Sequence, residues 1–172
     1  MTAFSQDIDA ELERIRALDA SGLLSAPAPS EVQEVCERAR SRFEVPVALV
    51  TLVASGRLVV KAGVGAPLSE APRLRQFCDQ AIRRDEVLVV PDAREHPVFA
   101  AHPLGAGEPF LRFYAGAPLA YVRGIRLGAL CLLDTRPRDL CPRERAELER
   151  MADEVMGAVL EHRFDRLASA IH

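Results

Sequence analysis

The stretch "VPVALVTLVASGRLVVKAGV" (45–64) restricts the fold more than any other part of the chain. Its first arm, 45–54, is a β-branched run too apolar to leave a whole face in water. "SGR" is a turn, and "LVVKAGV" (58–64) returns as a hairpin partner. A second hairpin lies further on: a strand over about 110–121 within "EPFLRFYAGAPLAY", a turn at "VRGI", and "RLGALCLLD" (126–134). A short strand, "EVLVVPD" (86–92), stands between them. Paired hairpins predict an antiparallel sheet, and the apolar arms require it to be covered.

The cover is supplied by segments with helical period. Phe4, Ile8, Leu12, Ile15 and Leu18 recur at three and four, predicting a helix to about Asp19 that stops near Gly22. "LLSAPAPS" is a linker, and Ser30 with Gln33 has the spacing of a capping box. Val32, Val35, Cys36, Ala39 and Phe43 stripe a second helix; Leu74, Phe77, Cys78, Ala81 and Ile82 stripe a third. "DAREHPVFAAHP" reads as a capped short helix, with Asp92 and Glu95 at box spacing. A long helix closes the chain from Pro142, striped by Leu148, Met151, Val155, Val159 and His162, and widened by Ala152, Met156 and Ala158. The expected class is α+β, with a central antiparallel sheet and the N- and C-terminal helices on one face. Residues 1–22 form a helix available to a dimer, and 23–168 form the domain proper.

Composition narrows the function. The 172 residues fit one domain with a sizeable core. A net charge of −3, with Arg spread among acidic neighbours and Lys61 the only Lys, gives no electrostatic reason to expect nucleic acid. No apolar run reaches the ~18–20 residues of a membrane span. The acidic start "MTAFSQDIDAELERI" is unlike a signal peptide, so a cytoplasmic location is expected. Cys36, Cys78, Cys131 and Cys141 lack a Cys-x-x-Cys pair and read as thiols.

In order, "FEVPVALVTLV", "FCDQAI", "LVVPDAREHPVFAAHPL", "GEPFLRFYAGAPL", "RLGALCLLD" and "CPRERAELERMA" resemble the successive signatures of a GAF domain, over roughly residues 23–160. The resemblance is to the bacterial subgroup that stands alone or ahead of histidine kinases and diguanylate cyclases. It implies a sheet of five or six antiparallel strands, terminal helices often in a dimer interface, and a small-molecule pocket under helices on the opposite face. The departures matter. There is no Asn-Lys…Phe…Asp-Glu set of the cyclic-nucleotide binders. Asp79, not His, follows Cys78, unlike the bilin binders, and the cysteines differ in context from those of free-methionine-sulfoxide reductases. "LVVK" replaces a frequent aromatic in the second strand, and Cys141 stands at a helix start where Ser or Thr is usual.

Against that frame the strand after Glu108 divides into two faces. Leu111, Phe113, Ala115, Ala117, Leu119 and Tyr121 read as core. Phe110, Arg112, Tyr114, Gly116 and Pro118 read as a pocket wall, with Gly116 admitting a close approach to the backbone. Arg112 needs a partner, either an anionic ligand or an internal carboxylate such as Asp92 or Asp134. Phe77, Cys78, Asp92, Phe99, Arg112, Tyr114 and Gly116 are the candidate ligand-binding set. Cys78 has a competing reading as plain core, and Asp92 one as a helix cap. Asp92, His96 and His102 match no zinc spacing, and no metal site is assigned. Cys141 is a candidate redox thiol, because a helix N-terminus favours thiolate; the alternative is a tolerated, weaker cap.

Three functions remain. The first is a non-catalytic sensor binding a small molecule, dimeric and acting in trans on a partner such as a histidine kinase or diguanylate cyclase. The second is a dimerisation scaffold without ligand, and the third a cysteine-based redox enzyme. The residues name no cofactor and no particular ligand.

Overall fold

The computed structural model describes residues 2–65, 74–101 and 111–171. The expected positions His102 and Phe110 lie outside the described residues. Helix α1 (Thr2–Ser21) and helix α2 (Ser30–Phe43) precede the first hairpin, β1 (Val47–Ala54) and β2 (Arg57–Val64). Next come α3 (Arg75–Ala81), β3 (Leu88–Val90), a 3₁₀ turn at Ala93–Glu95, and β4 (Phe113–Ala120). A second 3₁₀ turn (Val122–Gly124) leads to β5 (Arg126–Asp134), and α4 (Pro142–Ala170) closes the chain. The five strands form one antiparallel sheet in the order β2-β1-β5-β4-β3.

Apolar residues on both sides of the central strands put a core on each face of the sheet. Ala48, Val50 and Leu52 of β1, Leu130 and Leu132 of β5, and Phe113, Ala115, Ala117 and Leu119 of β4 meet Leu18 of α1 and the buried stripes of α2 and α4. Leu49, Val53, Ala129, Cys131, Leu133 and Tyr114 turn the other way, onto α3. The α+β class and the placement of the terminal helices follow the periodicities.

Several local expectations are corrected. Ser30 lies inside α2 and Pro29 is its N-cap, so no capping box forms there. The Gln33 amide pairs with Gly63 instead, donating to its carbonyl (2.9 Å) and accepting from its N–H (3.2 Å). That pairing covers an open position on β2, an edge strand. Strand β4 starts at Phe113 rather than near 110, so alternation does not extend to Leu111, which packs on the α3 side. On α4 the sheet-facing stripe ends at the partly buried Val159, and His162 is exposed.

Two features of the chain ends went unread in the sequence. Arg14 of α1 is only 6% exposed. Its guanidinium donates to the Val53 carbonyl (2.8 Å) and is held by both oxygens of Glu11 (2.8 and 2.9 Å), fastening α1 to the sheet. Past Val159, α4 and its C-cap residue Ile171 present a second apolar row, Leu160, Phe164, Leu167 and Ile171, all exposed.

Candidate functional site

Helix α3, the segment after β3, and β4 bring most of the expected site residues together. Phe77 stacks on Phe99 with ring centroids 4.0 Å apart, and Tyr114 tilts against Phe77 at 5.1 Å. All three are fully buried. The Phe77–Tyr114 distance is that of a favourable aromatic pair, and the near-parallel Phe77–Phe99 stack is closer still. Cys78, one residue on from Phe77, reaches Cys131 of β5, Sγ to Sγ 3.7 Å. The Tyr114 hydroxyl donates to Cys78 Sγ (3.5 Å) and lies 3.3 Å from Cys131 Sγ. Thr51 of β1 completes the group, with Oγ1 3.6 Å from Cys78 Sγ. Burial, reinforced by the two thiols, holds the Tyr114 phenol well above its ordinary pKa. Cys131 is pushed well up by its hydrogen bond with Cys78 and by burial. The hydrogen bond with Cys131, then those with Tyr114 and Thr51, lower Cys78 against the opposing effect of burial.

Gly116 does provide room for a close approach, and Tyr114 itself occupies it. A Cβ at 116 would stand 2.5 Å from the Tyr114 hydroxyl oxygen and 2.9 Å from its ring. The described part of this face is therefore filled by its own side chains.

Asp92 and Arg112 sit at the rim. Asp92 caps the 3₁₀ turn by accepting the Arg94 N–H (3.0 Å), and its carboxylate takes the Arg94 guanidinium at 3.0 and 2.7 Å. That pairing holds Asp92 below the usual carboxylate range, with Arg112 adding a smaller push. The cap is not a box with Glu95. Arg112 lies ahead of β4, not within it, and is half-buried. Its backbone accepts from the Ala93 N–H (2.6 Å) and donates to the Asp134 carbonyl (3.0 Å); its Nη1 donates to the Leu111 carbonyl (3.3 Å). The Asp134 carboxylate accepts from the Arg136 N–H and lies 3.6 Å from Arg138. Cys141 is exposed at the N-cap of α4, its N–H donating to the Glu144 carboxylate (3.1 Å). Cys36, by contrast, is buried and pushed up to about 12 by desolvation. Among the described residues no group of three or more His, Cys, Asp or Glu is placed to hold a metal ion.

The sequence reading missed the opposite face. A cavity of about 480 Å³ lies there between the α1–α2 linker, the sheet and α4. Its floor is Val50, Leu52 and Leu119, and Met156 and Val159 form one wall. Lys61 reaches it from β2, and its Nζ donates to the Leu24 (3.3 Å) and Ala26 carbonyls of the linker. The sequence signal was the only Lys of the chain, set in the apolar strand "LVVKAGV".

Solved structures with the same architecture share little sequence with this chain and speak to the fold alone. A GAF domain of an Acinetobacter phosphoenolpyruvate-protein phosphotransferase gives a TM-score of 0.64 at 17% identity, covering 94% of this chain and 95% of that one. A domain of a two-component sensor histidine kinase protein from Sinorhizobium meliloti gives 0.63 at 14%, covering 84% and 99%. A free methionine-R-sulfoxide reductase from Thermoplasma acidophilum gives 0.59 at 18%, covering 77% and 92%. A curated relative in Pseudomonas aeruginosa, a cyclic di-GMP phosphodiesterase, is 39% identical over 150 residues. That alignment takes in 87% of this chain, which spans only 26% of the relative's length. The GAF domain signature itself matches residues 29–159, from the start of α2 to the point where α4 leaves the sheet. With the antiparallel sheet, the helices on its two faces and this match in agreement, the chain belongs to the GAF domain family.

Proposed function

We propose that this GAF signalling domain is a non-catalytic regulatory sensor that works as a homodimer and relays its state through α1 and α4. One observation carries the reading. Leu160, Phe164, Leu167 and Ile171 recur at four, three and four along the end of α4 and its C-cap, beyond the sheet-facing stripe. Phe164 is 72% and Ile171 83% exposed. An a/d row of this spacing is the seam of a helical pair, and a row left in water favours a partner bearing the same row. Ile8 and Leu12 of α1 are exposed at i, i+4 and extend the apolar surface of the terminal helices.

The output controlled by this relay is read as cyclic di-GMP turnover, with support from the phosphodiesterase relative. In that reading the chain supplies regulation, and a separate catalytic unit acts on the nucleotide. The test replaces the matching segment of the Pseudomonas phosphodiesterase with this chain and follows cyclic di-GMP hydrolysis. The expected result is a regulated chimera whose control, but not whose basal turnover, is lost with Phe164→Glu. Hydrolysis indifferent to the seam would contradict it.

A further inference from the structure

We infer that the cavity beneath the α1–α2 linker is a binding site for an amphipathic carboxylic acid, an apolar body of medium length ending in one anionic group. This rests on the regulatory reading for the purpose of binding, not for whether binding occurs.

Size comes first. The volume of about 480 Å³ falls within the range of small-molecule sites. At about 30 Å³ for a water-sized group, it holds on the order of 10 to 16 heavy atoms.

Charge decides the class. The floor and inner wall are aliphatic, yet Lys61, His162, Arg163 and Arg166 all border the space. Among the described residues no Asp or Glu does. An apolar hollow bordered by cations suits a ligand that is hydrocarbon over most of its length and carries one anionic group.

Lys61 stands at a break in the strand pairing. The β1–β2 register is regular on either side of one break: Val50 faces Ala62 and Thr51 faces Val60, leaving Lys61 as the extra residue of a β-bulge. Lys61 shares the α2 and α4 face of the sheet with Val59 two residues before it and with Ala62 beyond the bulge, so its ammonium lies on the linker side. Lys61 is then held by Leu24 and Ala26 carbonyls, and its pKa is lowered by burial. The linker "LLSAPAPS" and the cation are thus one structural unit over the mouth. On the other side, Arg163 is held lightly, donating to the Tyr121 hydroxyl and the Ala20 carbonyl at 3.4 Å each. Arg163 and Arg166 share their turns of α4 with Phe164 and Leu167, so an anion drawn to them bears directly on the seam.

Decanoate, with decan-1-ol as its uncharged counterpart, tests this by calorimetry below the micelle concentration. The expected result is saturable one-site binding of decanoate, at least tenfold weaker for the alcohol and at least tenfold weaker in Arg163→Gln/Arg166→Gln. Val159→Phe, which fills the hollow, should abolish binding. No variant is needed for a second readout: with methyl-labelled methionine, decanoate should move Met156, which borders the cavity, and leave Met151 in place. No saturable binding, equal affinity for the alcohol, or a shift at Met151 instead of Met156 would overturn the proposal. Loss of dimer in Val159→Phe without any decanoate binding assigns the cavity to a second copy and also overturns it. Molecular mass measured in the same samples keeps failure of this site distinct from failure of the dimer reading.

Discussion

Phe77→Ala separates a packed core from an open pocket wall. In the structure Phe77 is fully buried between Phe99 at 4.0 Å and Tyr114 at 5.1 Å. Truncating such a ring loses its transfer free energy and leaves a cavity, together costing about 3–5 kcal/mol. For a domain of this size each kcal/mol moves Tm by about 2–4 °C, so the fall should be roughly 6–20 °C. About 0.5–1.5 kcal/mol of the loss belongs to the ring pairs themselves. A double-mutant cycle with Phe99→Ala should therefore show coupling of about that size. Urea unfolding followed by circular dichroism measures both quantities. A ring bordering empty space would be nearly indifferent to truncation. A loss under about 1.5 kcal/mol, or additive effects of the two variants, would refute the packed arrangement.

Three further outcomes follow from the same contacts. Gly116→Ala forces a Cβ onto the buried Tyr114 ring and should cost about 1–3 kcal/mol, with Tyr114→Phe relieving the closest contact, as chemical denaturation will read. Native thiol labelling should modify Cys141 rapidly and leave Cys36, Cys78 and Cys131 protected until unfolding; early modification of a second cysteine would count against the buried thiol pair. Asp92, with its pKa depressed by Arg94, contributes stability above the ordinary carboxylate value of about 4 that is lost as pH falls through its lower folded value. Asp92→Asn should remove that part of the acid transition while changing neutral-pH folding little, as pH-dependent melts will show.

Much of the fold was legible because its elements carry simple periods. The stripe Leu74-Phe77-Cys78-Ala81-Ile82 is buried as read, and both hairpins form where the turns stood. Strand parity set Tyr114 apart from the core face and helix phase put Phe77 and Cys78 on one stripe, whereas the meeting of these residues with Phe99 was an expectation from the family resemblance. That Tyr114 fills the space above Gly116 was not, since a glycine gap looks the same whether a ligand or a neighbour enters it. Arg112 looked mid-strand because apolar residues flank it, and the strand start depends on pairing with Asp134 rather than on local pattern. Lys61 falls on the cavity face by alternation from Val59, but the linker and the α4 wall that it meets come from distant parts of the chain. The outward row on α4 was overlooked because the sheet-facing stripe beside it dominates the pattern. Where α4 leaves the sheet, the apolar phase changes from Leu148–Val159 to Leu160–Ile171.

The central claim is that this outward row joins two copies. Light scattering coupled to size exclusion, on the wild-type chain and on Phe164→Glu, measures it directly. The account predicts twice the 18.8 kDa chain mass for the wild type and a single chain mass for the variant, with the melting of the individual domain preserved. A wild-type protein monomeric at tens of micromolar, or a dimer untouched by a charge at 164, would contradict it.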